Sequence, residues 1–199
     1  VCAAAKQEIV RRYYTALCDR RMGAAGDELV NKLELVMQQA HVDVSIRPVV
    51  AAAAQVAEET GKPAGAIELP DGTVVTGKTT DLMGASSSTL LNALKRLAGI
   101  DHEHHLISRE AIEPIQAVKV NHLGSVNPRL HSDEILIALA ISATTNPLAK
   151  RALDQLSALR GCEAHSTVIL SPADAGTYSR LGLRLTCEPQ YETNKLYHK

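Results

Sequence analysis

The densest group of side chains capable of chemistry lies in one short stretch, VNHLGSVNPRLHSDE, at residues 120–134. An arginine can hold a carboxylate or phosphate through two parallel hydrogen bonds, and histidine exchanges protons near neutral pH. Asparagine adds neutral donors and acceptors. Since glycine and proline interrupt the stretch, we expect an ordered loop between rigid elements, where binding residues are common. Its candidate ligand-binding residues are Asn121, His122, Asn127, Arg129 and His131.

Ser171 is a sixth candidate because of its position in the pattern near the end of the chain. EAHSTVIL reads as a strand, SPADAGTYSRLG as a helix and LRLTCEP as a second strand, and this order predicts a right-handed parallel βαβ unit. Ligands of such sheets bind beyond the carboxyl ends of the strands. Ser171 and Glu188 both follow a strand, so we place them near the same possible site. Ser171 also forms a capping box with Asp174, and Pro172 takes the first helical position.

The octet GTVVTGKT, from Gly72 to Thr79, satisfies the pattern of a phosphate loop, which needs a strand, a glycine-rich turn and an immediate helix. Here a Pro-Asp-Gly turn between two β-rich runs predicts a hairpin instead. A further loop, TTDLMGASSS, separates Lys78 from the next helix. We therefore interpret the match as accidental and Lys78 as a solvated lysine. A weaker alternative is an anion bound to the N–H groups of the helix start at residues 86–88.

Two groups of histidine and cysteine invite a metal interpretation. The cluster of His102, His104 and His105 lies among charged residues after a glycine, where an ordinary polar turn is favoured. Cys162, His165 and Cys187 resemble an incomplete zinc set, but parallel strands would separate the two cysteines by roughly 20 Å. The same separation disfavours a catalytic pair of Cys187 and His165, and an antiparallel pairing would restore both possibilities. We predict no metal site and can name no cofactor.

The composition is that of an ordinary globular protein. The 199 residues are 45% hydrophobic and 22% charged, with a net charge of −1, no Phe and no Trp. Without a basic block or aromatic platforms, we expect neither nucleic acid nor a membrane surface as a partner. The longest apolar run, ILIALAI at residues 135–141, is shorter than the roughly 20 residues of a membrane-spanning helix. The four scattered cysteines favour reduced thiols and a cytoplasmic location.

The predicted fold class is α/β. Helices are expected at residues 3–21, 27–40 and 48–61, followed by the hairpin, a helix at 87–98 and another capped by Ser108. ILIALAI is apolar on every side, which predicts a helix buried between layers and capped by Ser132. A further amphipathic helix carries Leu148, Ala152, Leu156 and Leu159. We expect a helical unit at 1–62 and, at 63–199, a small mixed or parallel sheet covered by helices, together forming one compact unit.

Several long phrases also resemble a known family. QEIVRRYYTALCD, AIELPDGTVVTGKTTDL, NHLGSVNPRLHSDEILIALAISATTNP, GCEAHSTVILS, LTCEP and the final KLYHK are similar to the C-terminal part of the bacterial family called domain of unknown function 1846. The resemblance covers essentially the whole chain. It implies a longer protein whose N-terminal α/β half contains a phosphate-loop-like segment, which nothing here matches. Because the first residue is Val1, we expect a C-terminal piece of such a protein.

Three functional hypotheses follow. In the first, the domain binds a small anionic metabolite, with Arg129 as the clamp and His122 and His131 nearby, or completes the active site of an upstream nucleotide-binding-like half. An equally weighted alternative to this first hypothesis is a structural loop whose side chains cap neighbouring helices. In the second hypothesis, the domain is purely structural or oligomeric. A metal hydrolase is the least favoured, because no ligand set has convincing spacing. The expected partners are a small anion, the upstream half and further copies of the chain, and whether the protein is an enzyme stays open.

Overall fold

A computed structural model describes residues 2–192, and over this range the chain has the predicted α/β fold. The strands form a single mixed sheet covered by helices. The final phrase KLYHK, part of the family resemblance, lies outside the described residues. The α-helices are α1 (Ala3–Arg21), α2 (Asp27–Gln39), α3 (Pro48–Thr60), α4 (Ala85–Leu97), α5 (Arg109–Asn121), α6 (Ser132–Ser142), α7 (Pro147–Leu153) and α8 (Pro172–Arg180), and the strands are β1 (Ala64–Glu68), β2 (Val74–Lys78), β3 (Glu163–Ser166) and β4 (Arg184–Cys187).

Local signals set most helix ends as predicted. Pro48 occupies the first turn of α3, and Gly61 ends it in the left-handed conformation with φ 63°. The Ser108 side chain accepts a hydrogen bond from the Ala111 N–H at the start of α5. Helix α2 begins at Asp27, and its N-cap is Gly26.

The sheet has the strand order β2-β1-β3-β4. Strand β1 is antiparallel to both β2 and β3, whereas β3 and β4 are parallel, with Ser166 opposite Cys187. The hairpin and the βαβ unit are therefore confirmed. Gly72 lies in the hairpin turn with φ 81°, and Lys78 is exposed at the end of β2, so the phosphate-loop pattern is accidental.

The second glycine of that octet has a packing role. A Cβ at Gly77 would lie 2.4 Å from the Thr89 backbone nitrogen and 2.7 Å from the Ser88 carbonyl carbon. Helix α4 therefore packs directly on the backbone of β2, which only glycine allows at this position. Helix α4 begins at Ala85, two residues before the predicted start at Ser87.

Helix α6 corrects one prediction. Ile135 and Leu139 are completely buried, but Ile137 and Ile141 are 62% and 64% exposed. The helix is covered by α4, α7 and α8, so it buries one face and is not enclosed between layers. Its N-cap is His131, and the predicted cap Ser132 is the first helical residue.

The helix predicted to run through Leu159 is also shorter than expected. Helix α7 ends at Leu153, and a separate 3-10 turn follows at Leu156–Leu159. The Gln155 N–H bonds the Ala152 carbonyl oxygen three residues back, a tightening that is typical of helix ends. None of the helices within residues 2–192 has the length and apolar character to cross a bilayer. The predicted division into units at residue 62 stays a prediction.

A buried arginine ties the helical N-terminal part to the sheet. Arg47, fully buried, pairs with Glu163 and donates hydrogen bonds to the Ala164 carbonyl oxygen and to Thr186 Oγ1, each at 3.0 Å. These contacts join the residue before α3 to both parallel strands. Burial lowers the pKa of Arg47, and the adjacent Glu163 carboxylate opposes this effect.

We predict that Gly77→Ala lowers the free energy of unfolding by about 2–3 kcal/mol, because the added methyl group would overlap the α4 backbone. The matched control is Gly176→Ala inside α8, where the nearest atom to the new Cβ is 3.9 Å away. That substitution should raise the free energy of unfolding by about 0.5–1 kcal/mol, since alanine is the better helix former. Denaturant unfolding measures both, and equal effects would contradict the proposed backbone contact.

Candidate functional site

The candidate site is a cavity of about 400 Å³ at one edge of the sheet. Pro63 precedes β1 and Thr79 follows β2, while residues 168–171 follow β3, and Tyr191 and Glu192 lie beyond β4. Because β1 runs antiparallel to its neighbours, its amino end meets the carboxyl ends of the other three strands. The cavity therefore lies where ligands of such sheets commonly bind.

Three helices begin at this cavity. The cavity is lined by Gly84, Ala85 and Ser86 at the start of α4, by His131 at the start of α6 and by Ser171 at the start of α8. A helix N-terminus carries partial positive charge and free N–H groups. No side chain caps α4, so its N–H groups are the most available to a ligand.

Asp174 joins the starts of α6 and α8. Its Oδ1 accepts hydrogen bonds from the Ser132 N–H at 2.8 Å and from Ser132 Oγ at 2.7 Å, and its Oδ2 accepts one from Ser171 Oγ at 2.8 Å. The Tyr178 hydroxyl donates to the Ser86 carbonyl oxygen at 2.8 Å and so links α8 to α4. The three helix starts are thus held in fixed relative positions.

The loop between α5 and α6, residues 122–131, forms one wall of the cavity. Asn127 Oδ1 accepts a hydrogen bond from the Arg129 N–H at 3.1 Å, which shapes the loop. Arg129 Nη1 lies 2.6 Å from Glu192 Oε1, and both side chains are about one-third exposed. In this structure the guanidinium therefore already holds a carboxylate of the same chain.

Four of the six candidate residues line this cavity, namely Asn127, Arg129, His131 and Ser171. Asn121 is instead the last residue of α5 and His122 is its C-cap. Both are exposed, and neither lines the cavity. Glu188, expected nearby, also lies outside the lining and contacts His165.

A family model described as "Domain of unknown function DUF1846, C-terminal" matches residues 45–197. The chain belongs to the DUF1846 family. The resemblance inferred from the sequence phrases is therefore confirmed.

Curated relatives of this DUF1846 chain carry the name UPF0371 protein. Those of Corynebacterium urealyticum, Corynebacterium efficiens and Streptococcus pneumoniae serotype 19F are 52%, 53% and 49% identical to it over 196 residues. Each alignment covers 98% of this chain but only 39% or 40% of the relative. The chain thus spans about two fifths of the length of these relatives.

Lys119, which the sequence interpretation missed, does not line the cavity but supports the loop that forms its wall. Its side chain is 6% exposed, and its Nζ donates to the Arg129 carbonyl oxygen at 2.7 Å and to Glu134 Oε2 at 2.8 Å. His131 Nδ1 lies 3.4 Å from the same ammonium. The available signal was weak: Lys119 falls seven residues after Ile112, on the buried side of α5.

Lys119 also lies beside a group of possible metal ligands. Among the described residues, His131, Asp133 and Glu134 offer ligand atoms within 4.8 Å of one another. The Lys119 ammonium already neutralises Glu134 at this place, which disfavours a cation there. The prediction of no metal stays a prediction.

The alternative pair of Cys187 and His165 lacks a reactive thiol. Burial raises the pKa of Cys187 to about 11, so the sulfur is protonated at neutral pH. His165 Nδ1 lies 2.8 Å from Thr186 Oγ1, and its Nε2 lies 3.2 Å from Glu188 Oε1. Both ring nitrogens therefore have partners inside the protein, and the hydrogen bond from His165 lowers the pKa of Glu188.

We predict that Lys119→Met lowers the free energy of unfolding by about 2–3 kcal/mol, because Glu134 and the Arg129 carbonyl lose a buried charged donor. Lys150→Met is the matched control, since Lys150 pairs with Asp154 on the exposed surface of α7. Its cost should stay below about 0.5 kcal/mol. Urea denaturation measures the difference, and a Lys119→Met protein as stable as the control would show that this lysine does not hold the loop.

Proposed function

We propose that the cavity at the sheet edge binds a small anionic metabolite carrying a phosphate or carboxylate. The observation that supports this most is the convergence of Arg129 and the uncapped N-terminus of α4 on one cavity of about 400 Å³. Such a volume suits a small molecule. Helix N-termini and guanidinium groups both bind oxyanions well, the first through free N–H groups and the second through paired charge-assisted hydrogen bonds.

The acidic groups of the cavity do not argue against an anion. Both oxygens of Asp174 accept hydrogen bonds from the starts of α6 and α8, so this carboxylate is used in holding the helices. Glu192 is different, because its carboxylate forms an ion pair with the Arg129 guanidinium. We propose that the oxyanion of the ligand displaces Glu192 from the guanidinium. His131 and Asn127 then lie close enough to line the bound molecule.

In the whole protein, we propose that this cavity completes a site together with an upstream nucleotide-binding-like half. This proposal rests on the family resemblance and on the alignment, which covers only about 40% of the length of each relative. A cytoplasmic location is part of the same proposal and is supported by the free thiols of the four cysteines. Asn121 and His122 have no role in this proposal, because neither residue lines the cavity.

The test is a calorimetric titration of the purified chain with inorganic phosphate. Arg129→Lys should weaken phosphate binding about tenfold, because an ammonium cannot reproduce the planar two-point contact. Its melting temperature should change by less than about 2 °C, since a partly exposed ion pair contributes little stability. Glu192→Gln should strengthen binding, because it removes the competing carboxylate.

Arg109→Lys is the control, because Arg109 pairs with Glu113 on the exposed side of α5. It should leave both affinity and melting temperature unchanged. If Arg129→Lys lowered the melting temperature without changing phosphate affinity, the arginine would only tie the loop to Glu192. The anion-binding proposal would then be abandoned for the structural one.

The second candidate function is a structural or oligomerisation domain. The observation that favours it is the pair of exposed isoleucines Ile137 and Ile141, four residues apart on one face of α6. Exposed leucines on the opening helices give weaker support, since Leu29 and Leu35 of α2 are six residues apart and do not share a face. We therefore propose that copies of the chain associate through α6.

We predict that the double variant Ile137→Asp, Ile141→Asp is a folded monomer while the unchanged chain is larger than one copy. Both side chains are already exposed, so the substitutions remove little core packing. Leu35→Asp, at an exposed leucine of α2, should leave the assembly unchanged. Light scattering after size exclusion measures the mass, and an unchanged chain of single-copy mass would end this proposal.

A further inference from the structure

A second cavity, of about 390 Å³, lies beside helix α4 and shares no lining residue with the first. Its walls come from strand β2, from α3, from the side of α4 and from the segment at residues 102–107. This volume also falls in the range of small-molecule pockets. None of the residues of the proposed anion site takes part in it.

The charged and titratable groups that line this second cavity are basic, although Asp101 and Glu103 lie nearby. Lys78, Lys95, His102 and His105 line it, and none of its described lining residues is an aspartate or glutamate. Lys95 Nζ donates one hydrogen bond, 2.9 Å long, to the His102 carbonyl oxygen. An ammonium has three donors, so Lys95 retains donors for a ligand.

Lys95 is also partly removed from water. Burial lowers its pKa, and the opposing effects of the nearby Glu103 and Asp101 are smaller. A partly dehydrated cation gains more from a bound anion than a fully solvated one does. The cavity therefore favours a negative charge next to this lysine.

Ser88 provides an observation of a different kind. It is 9% exposed, and its Oγ is buried without a hydrogen-bond partner in the described part of the chain. Such a group is costly to leave unpaired. Ser88 belongs to the same face of α4 as Leu91, Asn92 and Lys95, and all four line the cavity. Ser88 therefore brings a buried, unpaired hydroxyl to the wall of the cavity.

The rest of the lining is largely apolar. The residues Leu82, Met83, Leu91, Leu106, Ile107 and Ile112 come from four different parts of the chain and all line the cavity. An inorganic ion would leave this apolar surface uncovered. A molecule with an aliphatic body would bury it and gain free energy in proportion to the area removed from water.

We propose that the second cavity binds a small amphipathic anion, with its oxyanion group at Lys95 and Ser88 and its aliphatic body against the apolar lining. The site is separate from the cavity at the sheet edge. Lys78 and the two histidines form its basic rim. The lysine of the accidental phosphate-loop pattern thus gains a binding role that does not involve a phosphate loop.

The test uses the purified chain and three eight-carbon probes, namely octanoate, octan-1-ol and octylamine, in calorimetric titrations. Octanoate should bind, octan-1-ol should bind at least about tenfold more weakly because it lacks the charge, and octylamine should not bind. Equal affinity for octanoate and octylamine would overturn the proposal, as would the absence of octanoate binding.

Variants locate the bound octanoate. Lys95→Met keeps the length of the side chain and should weaken octanoate about tenfold or more. Lys32→Met, at an exposed lysine of α2 outside the cavity, is the matched control and should change nothing. Arg129→Lys should leave octanoate affinity unchanged, which separates this site from the first cavity.

Ser88→Ala distinguishes a ligand partner from a structural group, and it covers the case in which Lys95→Met fails to fold. Removing an unpaired buried hydroxyl should keep or raise the melting temperature, yet it should weaken octanoate about threefold or more. A lower melting temperature with unchanged octanoate affinity would mean that the hydroxyl has a structural partner. That result would overturn the proposed site.

Discussion

The close contact between helix α4 and the sheet is the constraint on which both cavities depend. A Cβ at Gly77 would lie 2.4 Å from the Thr89 nitrogen, and one at Gly65 would lie 2.8 Å from Thr89 Oγ1. Two strands therefore present bare backbone to the helix, which fixes its height and direction above the sheet. Because of this direction, the uncapped start of α4 opens into the cavity at the sheet edge. The face that carries Ser88 and Lys95 turns toward the other cavity.

The opposite half of the sheet depends on a buried charge. Arg47 donates to the Ala164 and Arg184 carbonyl oxygens and to Thr186 Oγ1, and it pairs with Glu163. A buried guanidinium is costly unless its charge is paired, and within the described part of the chain only Nε of this guanidinium lacks a hydrogen-bond partner. The two parallel strands must therefore keep their register around it. The segments that leave their carboxyl ends supply residues 168–171 and Glu192 to the first cavity. The fold thus fixes the sheet with one set of polar groups, leaves the α4 N–H groups without a side-chain cap and, among the described residues, pairs Arg129 only with the partly exposed Glu192.

Much of the fold could be predicted because its signals are local. A Pro-Asp-Gly turn, a proline at the start of α3 and a capping serine each act on residues within a few positions, and the structure has the hairpin and helices where they indicate. The residue types of the stretch 120–134 likewise pointed to a loop that lines a cavity. The sequence did not show which residues of this stretch line the cavity, since Asn121 and His122 belong to the end of α5.

The sequence by itself therefore determined the fold class, the order of elements and the family. Only the tertiary structure decided that Ile137 faces water, that Lys119 is buried and that Arg129 meets a glutamate 63 residues later. The reason is that secondary structure follows from neighbours along the chain, whereas burial and charge pairing follow from contacts between distant segments. An apolar run has the same sequence whether one face of its helix is buried or both faces are. The residues around a lysine likewise do not indicate which distant carboxylate will pair with it.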